Sequence, residues 1–517
     1  MERIARARLA AERIPSPSLI AILRDQQAAL PASQAREANL RALAEGRTAV
    51  VATGQQVGLF LGPLYAFYKA ASAIAVARTI EAESGVRCVP LFWLQTEDHD
   101  FAEIRSCMVA DRDGEPLRLT LSDGGGEERA SVAYRILPVQ VTELVDALAE
   151  ALGPGPAAHE TLALVREHYQ PGRPMAEAFA GLIAAIFADE GLLVFNPRDA
   201  RVAELAAPLY RTCLDDSVAI ERLLLDRRAA LLAAGFKEQV AVREHGALIF
   251  FHRDGPTGPR FRLLRKDEGK GGVIWALGGG VETLHQAEVS RLLATEPLRF
   301  STSALLRPVI QDALLPTVAY VGGPGEINYF AQMEPLYAHF GLTPPLLVPR
   351  ARFRCVDART RRCLKQLGLK AADLALPRDT LRARLAAPVP DGAKSPAELR
   401  VLVANQIGPA LETIAASVTA AGDQLARPIQ RTRGSVAHAL NRLIERYERS
   451  LIERDETGLR RIQRLERALQ PDGVPQERYY GWPSLAGRVG AMELKRLVLG
   501  KLGTTDAFAT EVWDLEP

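Results

Sequence analysis

The 517-residue chain carries 64 Lys+Arg against 62 Asp+Glu, a formal net charge of +2, with 48% apolar and 24% charged residues. This is the composition of an ordinary globular protein too long for one simple core, and its charge balance gives no global reason to expect nucleic acid or an anionic membrane as partner. Five scattered cysteines without a CxxC pair exclude a disulfide framework and a cysteine zinc site, and they fit a reducing, cytoplasmic setting.

In chain order, residues 1–45 read as helices broken at Pro15, Pro17 and Pro31, with no signal-peptide core. Thr48 to Tyr68 is uncharged over a length that would span a bilayer, but its Gly, Gln and Pro content argues for a buried strand and loop. From Thr48 to Phe101 the order is apolar run, Gly/Gln loop, helix, second apolar run and the polar cluster Glu97–Asp100, the layout of a parallel βαβ unit. Both loops of such a unit open at the carboxyl ends of its strands, where ligands bind.

Turn-rich stretches (DRDGEP, SDGGGEERA) then predict short strands or a hairpin. Residues 140–190 predict helices interrupted by GPGP and PGRP, and GLLVFNP (191–197) a further buried strand, with helices to about 234. Runs such as QVAVRE, GALIFFH and RFRLLR, with Gly-rich turns (KGG, LGGG), predict a small inserted domain over 236–300. The core resumes at 301–395, where TVAYV, GGPGE, INYFAQMEPLYAHFG and PLLVP repeat the strand–loop–helix–strand grammar. Thus 1–235 and 301–395 form one α/β core. Residues 396–470 show apolar spacings of three and four, expected as two long helices joined near Arg427-Pro428 and kinked at Gly408-Pro409. The arm's 12 Arg against nine Asp+Glu read as a solvated face, and its seam as a dimer contact. The tail, 471–517, is expected to pack on the core through Trp482 and Trp513.

Three motifs carry chemistry. TGQQVGLFLGPLY (Thr53, Gly54, Gln55, Gln56, Gly58, Gly62, Tyr65) sets glycines before a helix, where free N–H groups hold a phosphate or carboxylate. The plain alternative is a tight turn. Lys69, about two turns into that helix, is either a phosphate contact or a surface lysine. Glu97, Asp98, His99 and Asp100 cannot all be buried cheaply. They suit orientation of a substrate amine or general base catalysis through His99, ahead of a metal role; an N-cap is the alternative. GGPGEINYF (Gly323, Gly325, Glu326, Tyr329) repeats the first loop's design, with Glu326 alternatively a helix-dipole acid. Arg307 suits a carboxylate or phosphate, with Gln311 beside it and Asp312 to steady either. No P-loop occurs, and GPGPAA follows a helix, so it is no dinucleotide fingerprint.

With TGQQVGLFLGPLYAFYK, VPLFWLQTEDHDFAEI, LLRPVIQDALLPTVAYVGGPGEINYFAQ and PQER (475–478) in this order, the chain resembles the bacillithiol biosynthesis family, specifically its cysteine-adding ligase. The resemblance covers most of the chain. It implies a Rossmann-like parallel-sheet core with connecting-peptide insertions and a helical coiled-coil arm that dimerises. It implies cysteine and glucosaminyl malate as substrates of an amide-forming ligase. The GQQ loop would stand where related nucleotidyl-transferring enzymes carry HIGH, although neither HIGH nor KMSKS is present. Amide formation calls for an activated acyl group, hence ATP and possible Mg²⁺, with no zinc site and no nucleic-acid or membrane partner. A nucleotidyl or glycosyl-type transferase on the same core, or a dimeric nucleotide-binding scaffold, are the competing readings.

Overall fold

The computed structural model describes residues 1–122, 129–268, 272–278, 280–376, 392–419, 426–453 and 456–516. They form two compact units, Met1–Arg354 with Glu477–Leu515, and Cys355–Gln476 with Glu516. The strands that build the first unit's two sheets and one hairpin are, in chain order, β1 (Thr48–Gln55), β2 (Arg87–Leu94), β3 (Ser106–Ala110), β4 (Pro116–Thr120), β5 (Leu193–Phe195), β6 (Gly246–His252), β7 (Arg260–Glu268), β8 (Gly272–Leu277), β9 (Thr283–His285), β10 (Phe300–Thr302), β11 (Thr317–Gly322) and β12 (Leu346–Pro349).

The central sheet has the order β12-β11-β1-β2-β5 and is parallel throughout. Its strands are unbroken apolar runs because helices cover both faces, so no polar alternation is needed. Between β1 and β2 runs the helix Tyr65–Ser84, rich in alanine and buried along most of its length. It stops at Gly85, whose φ of 72° is the left-handed C-cap conformation that glycine adopts without strain. From β1 the chain steps one way to β2, and from β11 it steps the other way to β12 through the helix Pro324–His339. The carboxyl ends of β1 and β11 therefore flank a topological switch point, where open α/β sheets bind ligands.

The second sheet, β10-β6-β7-β8-β9, is antiparallel. Its Ile249, Phe251, Leu263 and Trp275 belong to the same buried cluster as Val50, Leu91 and Trp93 of the central sheet. The stretch expected as a separate inserted domain thus shares the main core. Within it, GALIFFH and RFRLLR are strands, but QVAVRE is not: Val240 pairs through its backbone N–H and C=O with the Gln332 side chain instead of with a strand. The apolar, uncharged stretch from Thr48 is β1, a short 3₁₀ turn (Leu59–Leu61) and a helix start, all in this unit's interior. The hairpin expected around DRDGEP is β3–β4. Most of SDGGGEERA and parts of KGG and LGGG lie outside the described residues. Trp482 and Trp513 are both buried in the first unit.

The second unit is helical. Val356, Leu364, Leu369, Leu374, Leu465 and Leu469 form its cluster of buried side chains. The arm comprises Pro396–Leu402, Gly408–Thr419, Ala426–Glu453 and Glu456–Leu469. The interruption expected at Gly408-Pro409 is a π-turn, Val403–Ile407, just before the proline that cannot donate to the ladder. Pro428 lies in the first turn of a helix, and the joint between the two halves falls outside the described residues. Arg400 makes a two-pronged pair with the buried Glu448, at 3.1 and 2.7 Å. Pro396–Val418 is long and apolar enough to cross a membrane by length and composition.

Candidate active site

A cleft of about 520 Å³ opens at the switch point. The register Thr53↔Phe92 and Thr53↔Val321 brings the ends of β1, β2 and β11 level, so the segments beginning at Gln55, Gln95 and Gly323 share one edge. Gln55, Gln56, Tyr65 and Lys69 line the cleft from the first loop and its helix, and Gly323, Gly325, Glu326 and Tyr329 from the corresponding β11 segment.

Several backbone amides of the first loop are already paired within the protein. The amides of Gly62, Leu64 and Ala66 go to the carbonyls of Leu59, Tyr480 and Pro63, and that of Leu61 to the Tyr169 hydroxyl. Gly58 and Gly62 lie away from the cleft and touch each other: a Cβ on Gly58 would sit 2.8 Å from the Gly62 Cα. Their role is the tight turn. Thr53 is buried, its hydroxyl donating to the Val321 carbonyl at 2.8 Å, and Gly54 packs against the Trp93 carbonyl.

Lys69 is neither on the surface nor free for a phosphate. It is buried, and its three ammonium protons meet three acceptors: the Gly54 carbonyl and Gln55 Oε1, both at 2.8 Å, and the Glu326 carboxylate. Glu326 also accepts from the Gly323 amide at 2.8 Å and the Tyr320 hydroxyl at 2.7 Å. Burial pulls the Lys69 pKa down while Glu326 opposes it. Burial pushes the Glu326 carboxyl up, but Lys69 outweighs that and holds it low. The pair is ionic, and it locks the two loops together.

The acidic cluster splits by environment. Glu97 is buried and accepts from the Thr302 hydroxyl of β10. Asp98 accepts from Gln56 Nε2 at 2.7 Å and from the His99 amide at 2.7 Å, and it pairs with Arg260 at 3.4 Å. Burial raises the Asp98 carboxyl pKa, but the bonds from His99 and Gln56 and the charge of Arg260 outweigh it and hold it well below the carboxylate range. Asp100 is exposed, points to the Glu103 amide at 3.1 Å as an N-cap, and does not line the cleft. Glu103 does line it and shares Gln56 Nε2 at 2.9 Å.

Arg307 reaches the cleft with its guanidinium held by Gln311 Oε1 (3.0 Å), Tyr320 (3.1 Å) and Tyr329 (3.4 Å). Gln311 is fully buried behind it and donates to Asp312 at 2.9 Å. Asp312 in turn accepts from Tyr337 at 2.5 Å.

Sequence reading missed several arginines. Arg260 and Arg262 arrive from β7, where the pattern shows only an alternating strand. Arg350 follows β12 and forms a buried pair with Glu477 at 2.7 Å. Arg478 enters from the returning C-terminal segment. The only signal for the last two was PQER, which holds both Glu477 and Arg478. Arg262 and Arg478 form no ion pair or side-chain hydrogen bond with a described residue. Six cationic side chains against four carboxylates line the cleft, and Arg262 stacks on the Phe250 ring at 4.9 Å. Among the described residues no three His, Cys, Asp or Glu side chains converge as a metal-ligand set.

A parallel sheet with two interlocked loops and an acid–imidazole cluster at its switch point defines an α/β enzyme on a Rossmann-like core. The chain belongs to the bacillithiol biosynthesis BshC family: that family's N-terminal Rossmann-like domain matches residues 2–351 and its C-terminal coiled-coil domain residues 353–499. Relatives bearing the name "Putative cysteine ligase BshC" include those of Koribacter versatilis, 33% identical over 92% of this chain and 86% of that protein, and Salinibacter ruber, 32% identical over 92% and 85%. A third, from Solibacter usitatus, is 32% identical over 90% of this chain and 83% of its own.

Proposed function

We propose that the enzyme is a ligase that joins the carboxyl group of cysteine to the amine of glucosaminyl malate, with ATP as the activating co-substrate. The observation that carries this reading is one cleft whose lining combines Arg262, Arg307 and Arg478 with a carboxylate–imidazole cluster. An amide-forming ligase needs both: cations for carboxylate and phosphate oxygens, and anions to orient an incoming amine. The names of the relatives supply the amino acid, and the family supplies the pathway.

The residues present fit a polyphosphate through side chains rather than through a glycine cradle. Arg307, Arg262 and Arg478 would hold the phosphates or the malyl carboxylates, and Tyr65 borders them. Bound ATP supplies activation of the carboxyl group, and Mg²⁺ is expected to accompany it. Asp98, held as a carboxylate, and Glu103, both bonded to Gln56, would place the attacking amine, with His99 beside them. The arm is proposed to make a homodimer, and the reaction to be cytoplasmic.

The test is mass spectrometry of purified protein with cysteine, glucosaminyl malate, Mg²⁺ and ATP. The expected result is the amide product, reduced at least about 100-fold in His99→Ala, the scale of one positioned polar group in a transition state. Release of AMP or ADP identifies the mode of activation. No product with any nucleoside triphosphate would overturn the reading.

A further inference from the structure

We propose that Arg260 fixes His99 as the neutral tautomer with its proton on Nε2, so that His99 meets the cleft as a hydrogen-bond donor and not as a base. The tautomer stands on geometry alone; its use in amide formation rests on the function proposed above.

Arg260 Nε lies 3.1 Å from His99 Nδ1 with its N–H directed at the ring nitrogen. A guanidinium is donor only, so Nδ1 must supply a lone pair. The guanidinium cannot turn away. One terminal nitrogen donates to the Glu97 carbonyl, the other lies 3.4 Å from Asp98 Oδ1, and the group stacks on Phe250 at 4.1 Å. Its own backbone is pinned in β7 by the His252↔Arg260 pair and by its amide bond to the Arg129 carbonyl at 3.0 Å. Burial pushes the Arg260 pKa down to about 10, which leaves the cation intact at neutral pH.

Asp98 Oδ1 is the rival partner, 3.3 Å from the same Nδ1. That oxygen already accepts the His99 amide at 2.7 Å and faces Arg260, and the other carboxylate oxygen accepts Gln56 at 2.7 Å. Without the ring's own bond, which would help to hold its pKa low, Asp98 still keeps the His99 amide, Gln56 and Arg260 as partners. A proton on Nδ1 would instead set two N–H groups against each other and leave a buried guanidinium N–H unpaired, a larger loss. The single proton therefore sits on Nε2, which bonds to no described residue while His99 lines the cleft. There it can donate to a ligand carbonyl or to the oxygen that gains charge during acyl transfer. Arg260 is then a positioning residue, acting through His99.

The experiment uses the full chain, labelled with ¹⁵N only in histidine, and long-range ¹H–¹⁵N correlation at neutral pH without substrate. His99 is identified by its loss in His99→Gln. A pyrrole-type Nε2 with a pyridine-type Nδ1 is expected; a pyrrole-type Nδ1 or an imidazolium overturns the proposal. Arg260→Met, which removes the donor, is expected to move the proton toward Nδ1, facing Asp98, and Arg260→Lys to return it to Nε2. An unchanged tautomer in a folded Arg260→Met also overturns it. If that variant does not fold, the wild-type spectrum alone decides. Since no turnover is read, the result is independent of whether the ligase assay succeeds.

Discussion

Lys69 and Glu326 come from helices about 250 positions apart in the chain, and each supplies the charge that makes the other's burial tolerable. Lys69→Met would strand a carboxylate with only the Tyr320 hydroxyl and the Gly323 amide. We expect a loss of about 3–5 kcal/mol in urea denaturation, partly regained in Lys69→Met/Glu326→Gln. No recovery in the double variant would show that the pair does not act as a unit. His252 offers a second test. It is buried between the Gly258 carbonyl and Ser301, and burial with Arg198, Arg260 and Arg299 nearby lowers its pKa to about 3. The folded value lies below the unfolded value of about 6.5, so the native state binds fewer protons; stability is full above about pH 6.5 and falls as pH drops toward 3. Between pH 7 and 5.5 this group should cost about 1.3 kcal/mol. His252→Gln should lose that much less over the same interval, and equal slopes would refute the assignment.

At the scale of elements, the parallel core was legible because burial on both faces writes β1, β2 and β11 as continuous apolar runs, each ending in a polar loop. Glycine-rich loops and the acidic cluster could be placed on one edge from that grammar alone. What the pattern did not carry is the second wall. Arg260 sits in an ordinary alternating strand, and nothing in RFRLLR says which arginine turns inward. Lys69 could not be assigned either, because its acceptors include a carboxylate brought in by β11. QVAVRE misled for a related reason: a glutamine side chain replaced the partner strand. The returning segment is a further case of long-range fit. Gly481 bridges Pro63, and its amide donates to the Met108 carbonyl at 2.7 Å. A Cβ there would lie 2.2 Å from Cys107 Sγ and 3.2 Å from the Gly62 carbonyl. Gly481→Ala should therefore cost about 1–3 kcal/mol, the usual overpacking penalty. Cys107→Ala in the same chain should recover much of it by removing the sulfur, as thermal melts of the three variants would show. Equal losses in single and double variants would place the strain elsewhere.

For the whole molecule the remaining question is what the arm is for. Pro396–Val418 carries few charges, and Val401, Ile414 and Leu443 stand 58%, 60% and 63% exposed. Water is a poor neighbour for such a stripe, and a coiled-coil domain ordinarily buries its apolar seam against another helix. A second copy of the arm would satisfy it, with the seam's charged flanks setting register. We therefore expect the full chain to elute, in light-scattering chromatography, at twice its 56.2 kDa mass. Ile414→Glu/Leu443→Glu should give the single mass, because a carboxylate at each position would be buried against apolar surface without a partner. The ligase assay on that variant separates two roles for the arm. Retained turnover would make dimerisation a matter of stability, whereas lost turnover with an intact fold would make the assembled arm part of the working enzyme. A wild-type chain that stays at 56.2 kDa at micromolar concentration would rule the dimer out.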